Sequence, residues 1–371
     1  MDWLDEVNNV PEKDYLFYNI KSHNLPIMMY GAGINAEIVT NQLSSHGIYV
    51  DQYCVDSQYY TREEFLGKPV RNFSTMEESE KQKYVFVLGI SPFANKKSAM
   101  QFENENFIKY IIPSPPFFGI PEEITKEYIN QNKSAFNETY HWLEDEKSKQ
   151  TFIAYLKMKI SGDYKWNKNI CENGFQYFTD IVSGFQNIFV DCGAWQGDTI
   201  RDFMEWSKGE YENIYAVEAD KRNFVLLKEF CKKKKYKNIN FINKGVYDCR
   251  KIISFSTGTD GTGSSIVMTG NEQIFVEPID EILQGKMVSY IKMDIEGSEL
   301  PALHGAQETI SKYMPALAIC VYHRANDLMD IPQFIKKFES KNKKYKLYLR
   351  KYHPLSSTTE LVLYAVPFSC H

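Results

Sequence analysis

The sequence is poor in pairable cysteine, in long apolar runs and in surplus positive charge. Its seven cysteines among 371 residues never form a C-x-x-C pair and are odd in number. That argues against a disulfide frame or a zinc knuckle and suits reduced thiols. No uninterrupted apolar run reaches the roughly 18 residues of a membrane span. The opening "MDWLDEVNNVPEKD" has no basic patch ahead of an apolar core, so no secretory signal is expected and the cytoplasm is the expected location. A net charge of −5 leaves no electrostatic footprint for nucleic acid. Beyond two similar strand–glycine–helix openings no internal repeat is visible, and the only biased segment is "CKKKKYK". Its Lys232 to Lys235 read as a solvated helix end, where cations complement the dipole.

What is present is aromatic and ordered. The chain has 25 Tyr and 24 Phe, with 43% apolar and 25% charged residues, a composition that folds. At domains of roughly 100–200 residues the length predicts two lobes. In "LPIMMYGAGINAEIVTNQL", Ile27 to Tyr30 reads as a buried strand, Gly31 and Gly33 as a tight turn, and Ala36 to Leu43 as a helix. Strands at "IYVDQYCVD" and "KYVFVLGI" follow, so residues 1–115 are expected to form a small Rossmann-like α/β domain with a parallel sheet. The proline-punctuated "IIPSPPFFGIPEE" breaks this texture, and residues 116–175 are expected to be a largely helical linker or cover. From residue 176 to 371 the strand–helix rhythm restarts. The expected strands are "NIFVDC", "IYAVEAD", "INFINKGVYD", "VSYIKMD", "ALAICVYH" and the closing pair "KYKLYLR" and "ELVLYAVP", the pair running antiparallel.

The second lobe opens on "VDCGAWQGDTI". A strand, a glycine turn and a helix start bring a small cofactor onto bare backbone. A dinucleotide loop must receive a pyrophosphate at G-x-G-x-x-G. Here Asp191 ends the strand, Gly193, Ala194 and Gly197 form the turn, and Asp198 follows it. Carboxylates in those places repel a pyrophosphate and suit a ligand carrying an ammonium and a sulfonium, which describes S-adenosylmethionine. Glu218, at the edge of "AVEAD", stands where an acid accepts hydrogen bonds from both ribose hydroxyls. Asp248 in "GVYD" stands where adenine's amino group would be met, or is a plain turn aspartate.

"YIKMDIEGSELPALHGA", with "FVDCGAWQGDT", "YAVEAD", "CVYHRANDL" and "YLRKYHPLSSTTELVLYAVP", resembles the FkbM family of S-adenosylmethionine-dependent methyltransferases, over roughly Gln176 to Pro367. The resemblance implies a class I methyltransferase fold, a seven-stranded Rossmann-like sheet. It also implies O-methylation of hydroxyls on sugars of surface polysaccharides or glycolipids, or on secondary metabolites. The acceptor would be a small molecule or glycan, and the number of chains that assemble is not implied.

Methyl transfer needs in-line approach of an oxygen, and an alcohol must lose its proton during attack. His323, ending the fifth strand, is the expected general base, with a hydrogen-bonded structural histidine as the other reading. Asp294 is expected to orient substrate or the cofactor's amino group, with Glu296 beside it. Asp294 and Glu296 would suit Mg²⁺ as hard oxygen ligands, but two carboxylates do not define a metal site and none is expected. The loop "GTDGTGSS" is either a lid over the acceptor or a hairpin tip. In the first lobe, "YGAGINAE" followed by Asp56 is a dinucleotide fingerprint of its own. It leaves open a nucleotide or nucleotide-sugar site that presents the acceptor, an NAD site of a nucleotide-linked oxidoreductase centred on Gly31, Gly33 and Asp56, a nucleotide-sensing protein, or a docking domain that kept the fold without the ligand.

Overall fold

The computed structural model describes residues 2–91, 95–112, 123–256, 265–266, 272–355 and 359–369. Two open sheets carry the chain. The first orders its strands β3-β4-β2-β1-β5-β6, with β1 Ile27–Tyr30, β2 Gln52–Val55, β3 Glu64–Phe65, β4 Lys68–Asn72, β5 Val85–Leu88 and β6 Lys109–Tyr110. All its pairings are parallel except that of β3 with β4. Alternation along β1 sends Ile27 and Met29 to one face and Met28 and Tyr30 to the other, so each face nucleates its own apolar cluster.

The second sheet has seven strands, ordered β16-β17-β15-β14-β7-β8-β9. They are β7 Ile188–Cys192, β8 Asn213–Val217, β9 Ile239–Ile242, β14 Tyr290–Met293, β15 Ala316–Cys320, β16 Lys343–Lys351 and β17 Leu361–Ser369. The first five pair in parallel, while β17 runs antiparallel to both β15 and β16. Ile188, Val190, Ile291 and Met293 face one apolar cluster, and Phe189 and Tyr290 face another. Asp191 and Lys292 share the second face by the period of two.

Several expectations need correction. The strand expected over 239–248 is split. Asn243 leaves the sheet to donate its amide to the carbonyls of Glu218 and Ala219, at 2.9 and 3.2 Å. Gly245–Val246 (β10) then joins a separate four-stranded sheet with β11 Lys251–Ser256, β12 Ser265–Ile266 and β13 Glu272–Glu277, which the sequence reading missed. The first helix, Trp3–Asn8, departs from the N-terminal unit expected over 1–115. Trp3 packs on Tyr140 and Phe152, in the core that also holds β7 and β14. Between the sheets run helices Lys126–Gln131, Lys133–Trp142 and Glu146–Ser161. The last is tied to β16 by Arg350, which contacts Asp145 at 2.6 Å and Ser148 at 2.8 Å. The glycine-rich loop expected as a lid lies, apart from Ser265, outside the described residues. Among the described residues no helix is long and apolar enough to cross a membrane.

Candidate active site

A cavity of about 400 Å³ opens at the C-terminal edge of β7, β8 and β14. Here β7, β8 and β9 lie to one side and β14 and β15 to the other, so the chain reverses its direction across the sheet at β7 and β14, where open α/β sheets bind ligands. Gly193, Asp198, Glu218, Asp294 and Glu296 line it.

Glu218 is held by backbone. One oxygen accepts from Trp195 N at 2.9 Å and the other from Asp220 N at 2.8 Å. Burial pushes its carboxyl up to about 7 against those two hydrogen bonds. Asp198 begins the helix Asp198–Trp206. Its Oδ1 is buried without a hydrogen-bond partner among the described residues, and burial raises its pKa. An orphaned carboxylate oxygen beside a cavity is matched by a cationic or donating ligand.

Lys292 is the charge at the centre. Its Nζ stands 3.1 Å from Asp191 and 2.8 Å from the carbonyl of Gly193. Both side chains are buried. Burial alone would lower the lysine's pKa, but the carboxylates of Asp191 and Asp294 raise it. Asp191 therefore neutralises Lys292 beneath the cavity and does not line it.

The other end of the cavity is acidic. Asp294 Oδ2 accepts from Tyr177 Oη at 2.8 Å, and Oδ1 accepts from Tyr322 Oη at 3.3 Å. Burial pushes Asp294 up, yet the Lys292 ammonium and the His323 imidazolium hold it below the ordinary carboxylate value. Glu296, at a left-handed φ of 55°, and Glu360 also face the cavity. Burial raises each to about 7.

His323 lies behind these acids. Its Nε2 is 3.5 Å from both Asp294 and Glu296, and its Nδ1 is 2.9 Å from Glu299. Burial would lower its pKa, but Glu299, Glu296 and Asp294 raise it to about 10. The ring is therefore protonated at neutral pH and is not part of the cavity wall. Asp294, Glu299 and His323 bring ligand atoms within 4.8 Å of one another, and a metal ion bound there would have to displace the imidazole proton.

A model of the methyltransferase FkbM domain matches residues 191–347. Those residues are an FkbM methyltransferase domain. The fold agrees over nearly the whole chain with the crystal structure of methyltransferase FkbM from Methylobacillus flagellatus KT. The two are 21% identical, 98% of each chain is covered, and the TM-score is 0.70. An rRNA methylase from Streptococcus thermophilus is similar at 12% identity and TM-score 0.33, over 52% of this chain and 93% of that one. No curated protein sequence matches. The seven-stranded sheet is that of a class I methyltransferase, and the chain is a methyltransferase.

Within this FkbM domain the expected site residues divide. Gly193, Asp198, Glu218, Asp294 and Glu296 meet around the cavity. Asp191, Ala194, Gly197 and His323 do not line it. Gly197 holds a left-handed φ of 94°, and a Cβ there would also stand 2.7 Å from Phe230, so this glycine serves the turn and the helix packing behind it. A Cβ on Gly193 would stand 2.0 Å from the carbonyl of Asp294, so its bareness is set by the neighbouring strand. Asp248 is exposed and 3.5 Å from Lys251, away from the cavity. The position expected for it is taken by Lys244, Gly245 and Val246. Lys292, Tyr177, Tyr322 and Glu360 were missed. A lysine inside the apolar run "VSYIKMD" was their one sequence signal, since a buried charge needs a partner.

Proposed function

We propose that this methyltransferase uses S-adenosylmethionine to methylate a hydroxyl of a carbohydrate or nucleotide-activated sugar. The observation that carries this is one cavity with a backbone-anchored Glu218 at one end and three carboxylates, Asp294, Glu296 and Glu360, at the other. Bound there, the cofactor would supply an electrophilic methyl group. Glu218 would accept from its ribose hydroxyls, Asp198 would offset its positive charge, and Gly245, Val246 and Ile274 would flank its base.

Asp294 is fixed by two tyrosine hydroxyls and stays ionised, which suits it to accept from an acceptor hydroxyl and orient it. Glu296, with its pKa near 7 and its side chain 32% exposed, is the general base in place of His323, because a base works best when its pKa lies near the working pH. His323 stays protonated and positions Glu296 and Asp294. A polyol acceptor matches an acid-lined wall, since ionised carboxylates accept from hydroxyls. The comparisons lend no support to an oxidoreductase.

Calorimetric titration with S-adenosylmethionine and S-adenosylhomocysteine tests the cofactor end. Both should bind the wild type, and Glu218→Ala should weaken both at least about tenfold, a hydrogen-bonded carboxylate being worth about 1.4 kcal/mol or more. Equal affinity in the variant would remove Glu218 from the site.

A further inference from the structure

The first sheet has a crevice of its own that methyl transfer does not use. A cavity of about 200 Å³ lies at the C-terminal ends of β1, β2 and β5, lined by Gly31, Gly33, Asp56, Tyr59, Arg62 and Ser98 among others. In the order β3-β4-β2-β1-β5-β6 the chain moves outward from β1 to one side and then, through β5, to the other. The cavity thus sits at the reversal point where ligands enter open α/β sheets.

Gly33 is the informative residue. Its backbone, φ −137° and ψ −165°, is extended and open to any residue, and a Cβ there would meet nothing within 4 Å. Neither strain nor packing requires glycine, so what the missing side chain keeps clear is the cavity. Gly33 also precedes the twelve-residue helix Ile34–Ser45, which has no side-chain cap, leaving first-turn amides directed at the same space. Across the crevice, Asp56 is braced from the protein side by Tyr30 Oη at 2.7 Å and Ser98 Oγ at 2.5 Å. Each carboxylate oxygen keeps a second lone pair for an incoming donor. Arg62 forms no ion pair with a described residue, and Tyr59 is 51% exposed, offering a guanidinium and a ring face at the rim.

We propose that this crevice binds a nucleoside 5′-diphosphate group. The ribose hydroxyls donate to Asp56, the diphosphate lies over Gly33 and the helix start with Arg62 offsetting its charge, and the base stacks on Tyr59. The crevice encloses about 200 Å³, less than the roughly 300–1,000 Å³ that buries a whole ligand of this size, so part of the bound molecule extends past the rim. The proposal is independent of the methyltransferase site.

The test is calorimetric titration of the full chain with UDP, ADP, UDP-glucose and NAD in turn, using wild type, Gly33→Val, Arg62→Ala and Glu218→Ala. At least one probe should bind wild type and Glu218→Ala alike. Gly33→Val should weaken it at least about tenfold with the melting temperature unchanged, because valine has room in the unliganded chain. Arg62→Ala, an exposed change that leaves the fold alone, should weaken it several-fold. The relative affinities of the four probes report whether a free diphosphate, a nucleotide sugar or a dinucleotide carries the group. Failure of all four to bind, binding indifferent to Gly33→Val and Arg62→Ala, or binding lost in Glu218→Ala would each overturn the assignment, the last by moving the ligand to the other crevice.

Discussion

In both sheets the glycine after the first strand of the unit donates its amide to the second strand, Gly31 to Cys54 O at 2.8 Å and Gly193 to Val217 O at 3.0 Å. In both, that glycine also lies against a carbonyl at the end of the fourth parallel strand. A Cβ would stand 2.5 Å from Gly89 O in one and 2.0 Å from Asp294 O in the other. Gly89 N and Asp294 N donate back to the first strand, to Tyr30 O at 2.9 Å and Cys192 O at 3.2 Å. The two crevices therefore share a frame, and residues can be matched across it: Met29 with Asp191, Val87 with Lys292, Gly89 with Asp294. The pair Met29 and Val87 is registered across β1 and β5 as Asp191 and Lys292 are across β7 and β14. The glycines are thus common structural parts. What separates the crevices is the charge on the fourth strand and the acids just beyond it.

The comparison is broken most severely by removing those acids. Glu296→Gln should lower kcat by about 10²–10⁴, the contribution of a general base, read as labelled methyl transferred to the best acceptor in a panel of sugars and nucleotide sugars. The wild-type rate should climb as pH rises through about 7, because Glu296 must lose its proton to accept another and burial has raised its pKa to that value. The variant should lose that limb. Unchanged turnover and an unchanged pH profile would pass the role to Glu360.

A second change sharpens the matching of Asp191 and Lys292 with Met29 and Val87. Lys292→Met leaves Asp191 buried and unpaired, which should cost about 3–5 kcal/mol, seen as a lower denaturant midpoint. The double variant Asp191→Met/Lys292→Val installs the apolar pair of the first sheet and should recover most of that stability, since replacing a buried ion pair by packed apolar groups is often neutral. Methyl transfer should stay impaired, because Asp294 loses the cation that keeps its pKa down. A double variant as unstable as the single one would mean that the two positions are not equivalent.

The frame was legible in the sequence because it rests on local signals: apolar runs, glycine turns, and an acid closing the second strand. The small sheet of β10 to β13 was not, since Gly245–Val246 reads as the tail of β9 and only the pairing with Val276 and Glu277 redirects it. His323 illustrates the limit at the site. A histidine closing a strand reads as a base, but the three carboxylates that hold it in its protonated form come from the loop and helix after β14, brought against it by the β14–β15 pairing. Lys292 and Asp191 lie about a hundred positions apart, and each alone looks like a strand-end charge.

The smallest expected effect concerns Asp248, and it sharpens where the second crevice ends. Both acids follow strands that the sequence placed side by side, yet Glu218 is buried with two backbone donors while Asp248 is exposed beside Lys251. An exposed pair of that kind contributes little, being screened by water and salt. Asp248→Asn should therefore change the affinity for S-adenosylhomocysteine by less than about twofold, a few tenths of a kcal/mol, in the same titration where Glu218→Ala weakens it at least tenfold. The contrast follows from Asn243, whose amide turns the chain out of the sheet so that Lys244 to Val246 face the cavity and Asp248 passes beyond it. A loss in Asp248→Asn as large as in Glu218→Ala would place the adenine past Val246, and the base would then have to leave the space between Gly245 and Ile274.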